Sequence, residues 1–353
     1  MESDNDMTID QVAELAYVSR SVVSRVLNDH PNVSDEARER VLKVIEEHDY
    51  RPNSVARSLA TDRSFEISIL SPRRSDGSPD RRHRPLHESL ANGYWPLLYS
   101  GIFDQCLERG YLVSLSIVSA GMKDKISARA GDKRFDGYVL ITQEVTEFVG
   151  SALQERGVPT VLIGASSDHD EFHSIDIDNV EGGHKAGAHL CRLGHETIGA
   201  ILGDPDLEET RDRRRGFERA LEEAGRTISE AHIGHGDYSQ SSGYEIVHDW
   251  AADGPLPNAL FCASDTMARG ALLALHETGH RVPEDVAVVG FDGLPSSRYT
   301  IPPLTTVRQP VYGKGKAAVD LLVDEIEDAG STPGHRELEP ELVVRTSCGA
   351  DAS

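Results

Sequence analysis

From Phe65 onward the chain alternates short apolar runs with helical stretches that close on glycine. That rhythm restricts the fold to α/β with parallel sheets, because each strand must return beside its neighbour through a crossover helix. The predicted strands are Glu66–Ser71, Tyr111–Val118, Gly137–Thr142, Pro159–Gly164, Thr197–Gly203, Ala259–Ala263 and Val286–Phe291. Helical stretches such as Gly101–Arg109 before Gly110, and Arg214–Ala224 before Gly225, lie between them. About 280 residues of this pattern exceed what one core holds, so two lobes are expected. Two segments break the rhythm. Arg73–Ala91 is polar and carries Arg73, Arg74, Arg81, Arg82 and Arg84, which reads as a loop after the first strand. Ile301-Pro302-Pro303-Leu304-Thr305-Thr306 is a stiff crossover that cannot be helical.

Before Phe65 the pattern is different. Residues 8–50 hold short amphipathic helical patterns and no strand-like run. Val12, Ala13 and Ala16 form one apolar stripe, and Val22, Val23, Val26 and Leu27 form another. Small Ala13 permits a close helix crossing, Val18 fills the corner, and Ser19 is placed to cap the second helix. Arg20, Ser21, Ser24 and Arg25 are then left on the solvent side at its start, where a recognition helix presents groups to base edges and phosphates. A plain helical hairpin with surface arginines is the competing reading of these residues alone. Asn53 is placed to cap a helix over Ser54–Ala60, with Val55 and Leu59 on one face. About seven residues fall short of the ~12–15 that hold a helix in water, so this segment needs a partner. The boundaries read as a head at 7–51, a hinge at 52–63 and a sensor at 64–348.

The net charge of −23 excludes a broad nucleic-acid coat. Even residues 1–64 carry thirteen acidic against eight basic residues, so non-specific affinity for phosphates is weak and sequence reading rests on a few cations. No apolar run spans a bilayer and the N-terminus is acidic, so a cytoplasmic protein with no membrane role is expected. Cys106, Cys191, Cys262 and Cys348 are scattered without CxxC spacing and read as packed thiols. His232, His235 and His248 fit no ligand spacing and read as surface histidines, so neither a metal nor a cofactor is expected. The sequence contains no Walker loop, GxSxG elbow, GxGxxG after a strand or HExxH, and an enzyme is not expected.

The head closely resembles the lactose/galactose-repressor (LacI/GalR) family. The residues that carry the resemblance are Thr8-Ile9-x-x-Val12-Ala13, Val18-Ser19, Val23-Ser24-Arg25-Val26-Leu27-Asn28, Val33-Ser34, Arg38, Val41, Tyr50-Arg51-Pro52-Asn53 and Ala56-Arg57-Ser58-Leu59. The sensor resembles it through Asp178-Asn179, Leu193-Gly194-His195, Arg213-x-x-Gly216-Phe217, Ser264-Asp265-x-Met267-Ala268-x-Gly270, Val289-Gly290-Phe291-Asp292 and Pro303-Leu304-Thr305-Thr306-Val307-x-Gln309-Pro310. Over most of 65–347 it is also similar, more distantly, to periplasmic sugar-binding proteins.

The resemblance implies an N-terminal helix-turn-helix head on a two-lobed periplasmic-binding-protein-like sensor, working as a homodimer on a pseudo-palindromic DNA operator. It implies DNA contacts from Thr8, Ser19, Arg20, Ser21, Ser24, Arg25 and Asn28, with Arg20 and Ser21 setting operator preference. It further implies that paired hinges with Asn53, Val55 and Ala56 drive Leu59 as a wedge into the minor groove. In the sensor it implies that Arg213 and Asp292 hold ligand hydroxyls, that Tyr238 stacks on the ligand, and that Ser264, Gln309 and the cleft-mouth pair Tyr94 and Trp95 contribute. A sugar or nucleoside-derived effector that releases the operator is the expected function. A corepressor-dependent regulator and a sugar-binding protein without a DNA role are the alternatives. Tyr17 replaces the usual turn glycine, Gly93 replaces a proline, and the arginine-rich segment is an insertion; all three are departures from the family. Asp265 is expected as a helix cap. Patterns such as Leu97–Leu107 and Ala271–His276, apolar beyond one stripe, suit a subunit interface.

Overall fold

The computed structural model describes residues 7–27, 32–48, 50, 63–72, 90–91, 93–118, 122, 125–126, 128, 134–164, 170–328 and 332–350. Asn28, the hinge residues Asn53, Val55, Ala56 and Leu59, and nearly all of the arginine-rich segment lie outside the described residues. The chain separates into a helical unit before Glu66 and an α/β unit after it.

The helical unit contains α1 (Ile9–Leu15), α2 (Arg20–Leu27) and α3 (Asp35–Glu47). Thr8 starts α1 with a capping box: its hydroxyl accepts the Gln11 amide, and the Gln11 side chain accepts the Thr8 amide at 2.7 Å. Ser34 caps α3 by accepting the Ala37 amide. Both predicted stripes turn inward, with Val12, Ala13, Ala16, Val23 and Val26 buried against Val41, Val44 and Tyr50. Between α1 and α2, Tyr17 holds a left-handed backbone at φ 55°, and the residue is 87% exposed. The turn therefore keeps the shape that glycine adopts without strain, and Tyr17 gains little packing in return. Tyr17→Gly is expected to stabilise the head by about 1 kcal/mol, slowing exchange of the protected Val12 amide about fivefold. Unchanged or faster exchange would show that the turn is unstrained.

Among the described residues the α/β unit has two six-stranded sheets. Its strands are β1 (Glu66–Pro72), β2 (Leu112–Val118), β3 (Gly137–Ile141), β4 (Thr160–Ile163), β5 (His173–Ile177), β6 (Ile198–Leu202), β7 (Ile233–His235), β8 (Ala259–Cys262), β9 (Ala287–Asp292), β10 (Thr305–Arg308), β11 (His335–Leu338) and β12 (Glu341–Val343). Its helices are α4 (Tyr94–Glu108), α5 (Gln143–Gln154), α6 (Asn179–Arg192), α7 (Glu208–Glu223), α8 (Gln240–Asp253), α9 (Asp265–Glu277) and α10 (Val311–Glu327). The first sheet runs β11-β5-β4-β3-β1-β2 with every pair parallel. The second runs β12-β10-β9-β8-β6-β7, parallel except where β12 meets β10. The chain crosses between the lobes three times: after β5, after β10, and between β11 and β12.

All seven predicted strands are present, with ends displaced by no more than a residue. Strands β3, β4, β6, β8 and β9 are buried along their whole length, which is why they read as unbroken apolar runs. Strands β5, β7, β10, β11 and β12 were not foreseen. Each is short or polar, as in His335-Arg336-Glu337-Leu338, and owes its extended state to a partner distant in sequence. No helix among the described residues is long and apolar enough to cross a membrane.

Candidate effector cleft and DNA-reading helix

The carboxyl ends of the strands of both sheets open onto one cleft, the expected ligand position in parallel α/β sheets. The empty space it spans, open solvent at its mouth included, is about 780 Å³. Tyr94 and Trp95 enter from the first turn of α4, while Thr142, Gly164 and Asp176 come from the ends of β3 and β4 and from β5. From the second lobe, Arg213 projects from α7, Ser264 follows β8, and Asp292 ends β9. Tyr238 holds a left-handed backbone at φ 64°, as do Thr142 at 74° and Asp292 at 113°. Three strained non-glycine residues around one cavity indicate that the surrounding fold fixes their positions.

Asp292 is the most heavily determined of these groups. Gln309 Nε2 donates to its carboxylate at 2.7 Å, the Asp265 amide donates as well, and an Arg213 guanidinium nitrogen lies 3.9 Å away. Burial nevertheless pushes its pKa up to about 6, against the pull of Arg213. Arg213 donates from Nε to Asn179 Oδ1 at 2.9 Å and from Nη1 to the Ala263 carbonyl at 2.7 Å, and stacks 3.9 Å above the Phe291 ring. The Tyr238 hydroxyl is 2.7 Å from that of Thr210.

Two expectations change. Gln309 does not line the cleft; it is buried behind Asp292 and holds that carboxylate in place. Asp265 does not cap α9. Ser264 does, accepting the Met267 amide at 3.1 Å. The buried Asp265 instead accepts from Leu294 N at 2.7 Å, Ser297 Oγ at 2.5 Å and Thr306 Oγ1 at 2.6 Å, pinning the segment that follows Asp292. Burial and the neighbouring Asp292 charge push the Asp265 carboxyl up to about 7.

The cleft also contains residues the sequence did not single out, notably Lys314, Asp176, Glu209 and Asp237. A signal for Lys314 was present. It falls on the buried face of α10 with Val311, Gly315 and Ala318, whereas Lys316 two residues on does not. Among the described residues no group of His, Cys, Asp and Glu has the geometry to hold a metal.

In the head, Arg20, Ser21 and Arg25 are exposed on α2, Ser24 is half-buried, and Thr8 and Ser19 are exposed at the two helix starts. The Ser19 carbonyl accepts the Val22 and Val23 amides, and its hydroxyl lies 2.8 Å from that of Ser21. Arg20 approaches Asp10 at 3.9 Å, but both are about two-thirds exposed, so the pair is weak and leaves Arg20 free to turn outward.

Residues 8–53 match the family model described as bacterial regulatory proteins, lacI family, and residues 188–348 match a periplasmic binding protein-like domain. Over 344 residues the chain is 33% identical to the HTH-type transcriptional repressor PurR of Escherichia coli O139:H28, covering 96% of each protein. The chain belongs to the LacI family. A LacI-family member is a DNA-binding transcription regulator under small-molecule control, and that is the class of this protein. PurR of Yersinia enterocolitica is equally similar, at 33% identity and 96% coverage of both chains. Among solved LacI-family structures, a Lac repressor dimer bound to operator and the anti-inducer ONPF aligns with a TM-score of 0.79 at 28% identity, over 98% of this chain and 100% of that one. The transcriptional regulator CelR in complex with cellobiose aligns with a TM-score of 0.71 at 31% identity, over 97% and 99%.

Proposed function

We propose that this LacI-family regulator is a repressor acting as a homodimer in the cytoplasm, and that a sugar or nucleoside-derived effector in the cleft releases it from a pseudo-palindromic operator. The head at 7–51 reads the operator through Thr8, Ser19, Arg20, Ser21, Ser24, Arg25 and Asn28, and the hinge at 52–63 adds Asn53, Val55, Ala56 and Leu59. The sensor at 64–348 binds the effector. One observation carries the effector assignment: Arg213 and Asp292, both buried, present hydrogen-bonding groups into a cavity that Tyr94, Trp95 and Tyr238 wall with rings. Polar groups that fix orientation beside aromatic faces are what a hydroxylated ring requires. The structural relative carrying cellobiose and the PurR repressors support the same reading.

The test is an electrophoretic mobility shift with the palindrome upstream of the protein's own operon, repeated across a panel of sugars and nucleosides. We expect retardation at nanomolar protein and at least tenfold weaker binding with one panel member. No retardation overturns the operator assignment. Tighter binding with a panel member makes the effector a corepressor instead.

A further inference from the structure

Two ion pairs face the cleft, one on each lobe. On the second lobe Arg213 lies beside Asp292. On the first, Lys314 Nζ sits 3.0 Å from Asp176 Oδ1, 3.5 Å from Gln309 Oε1 and 5.7 Å from the centre of the Tyr94 ring. Lys314 is 2% exposed, and burial works against its charge, but Asp176 and Tyr94 outweigh that and raise its pKa. The other Asp176 oxygen accepts from the side-chain Nδ2 of Asn179 at 3.3 Å. Among the described residues each cation lining the cleft thus has its own carboxylate, and Gln309 ties the pairs together by contacting both Asp292 and Lys314. Glu209 and Asp237 add two more carboxylates to the same walls.

An anionic group entering this space sheds its hydration, meets no uncompensated cation among the described residues and stands among four carboxylates, those of Asp176, Glu209, Asp237 and Asp292. A hydroxyl fares differently, because it both donates to a carboxylate oxygen and accepts from an ammonium or guanidinium. We propose that Lys314 and Asp176 are specificity-determining residues of the effector site, and that with Arg213 and Asp292 they restrict the effector to an uncharged hydroxylated molecule, excluding phosphorylated and carboxylate analogues. This rests on the cleft being the effector site.

The field of the cleft is measurable without knowing the effector. Trp95 lines the cleft, and Trp250 is the only other tryptophan, so Trp250→Phe leaves one reporter. Its fluorescence is quenched with caesium and with iodide at constant ionic strength, with acrylamide as the neutral reference. A potential of one thermal unit per charge favours caesium over iodide about sevenfold, and a ratio of that order is expected. Lys314→Met should raise the ratio and Asp176→Asn should lower it. The second variant keeps an acceptor for Lys314, so it remains informative if the first does not fold. Iodide quenching equal to or above caesium overturns the proposal, as does a ratio that neither variant moves. In a second arm, glucose and ribose are compared with glucose 6-phosphate and ribose 5-phosphate by thermal shift. A phosphate ester that stabilises the protein more than its parent sugar also overturns it. If the operator assay fails while the quenching ratio holds, the fault lies with the DNA-release function and not with the selectivity of the cleft.

Discussion

Asp292→Ala is expected to weaken effector binding by about 3 kcal/mol, roughly 150-fold, while the head still binds operator. The substitution removes an acceptor from the cleft wall and leaves three groups without their partner: Gln309 Nε2, the Asp265 amide and the Arg213 guanidinium. Arg213 is the costly one, because a buried cation that loses its counter-ion keeps its full desolvation penalty. Alanine also inherits a backbone at φ 113°, which no contact then repays. The same carboxyl gives the wild type a pH signature. Its pKa stands at about 6, so effector affinity should be constant above that pH and fall as protonation removes the carboxylate below it. Calorimetric titration of the wild type and Asp292→Ala with an identified effector, between pH 5 and 8, reads both effects. A variant that binds within threefold of wild type would remove Asp292 from the effector site.

Gly216→Ala is expected to destabilise the second lobe by about 3 kcal/mol, although glycine-to-alanine in a helix ordinarily stabilises by up to about 1 kcal/mol. Helices α6 and α7 cross with backbones in contact. A methyl on Gly216 would stand 1.8 Å from the Val180 carbonyl oxygen, and one on Gly183 would stand 2.1 Å from that of Arg213. Backbone cannot rotate aside as a side chain can, so the helices must separate. Gly216 is also one turn from Arg213, so separation moves the guanidinium that meets Asp292 and Asn179. Gly313 on α10 is the control, since the nearest atom to an added methyl there is 3.8 Å away. Thermal denaturation should show Gly216→Ala melting well below wild type and Gly313→Ala at or above it. Equal midpoints for both would mean that the crossing is not tight.

Much of the cleft was legible because the chemistry sits where strands end. The run Val286–Phe291 is apolar enough to be a strand on its own evidence, and a carboxylate directly after it must emerge at the sheet's edge. The same logic placed Ser264 after β8. Arg213 needed the motif with Gly216, since it is one of several neighbouring arginines and nothing local separates it from Arg214 or Arg215. Asp265 and Gln309 were misassigned for different reasons. Ser264, one residue earlier, takes the cap and leaves Asp265 to partners 29 to 41 residues away, while the Gln309 amide is drawn to Asp292 by the pairing of β10 with β9. Lys314 and Asp176 were missed because neither means anything alone; they are 138 residues apart and meet only when α10 packs on the first sheet.

By itself the sequence determined the order of elements, the helix-turn-helix stripes, the change from a helical to an α/β unit near Phe65, and the buried strands that need no partner to declare themselves. These are local quantities: apolar spacing, caps and glycine stops act over a few residues. The tertiary structure alone decided which lobe each late strand joins, which polar residues face the cleft and which stand behind it, and which charges neutralise one another. Those depend on contacts across 17 to 138 residues, as between Gln309 and Asp292 or Lys314 and Asp176, and a separation of that kind leaves no periodic trace in the chain.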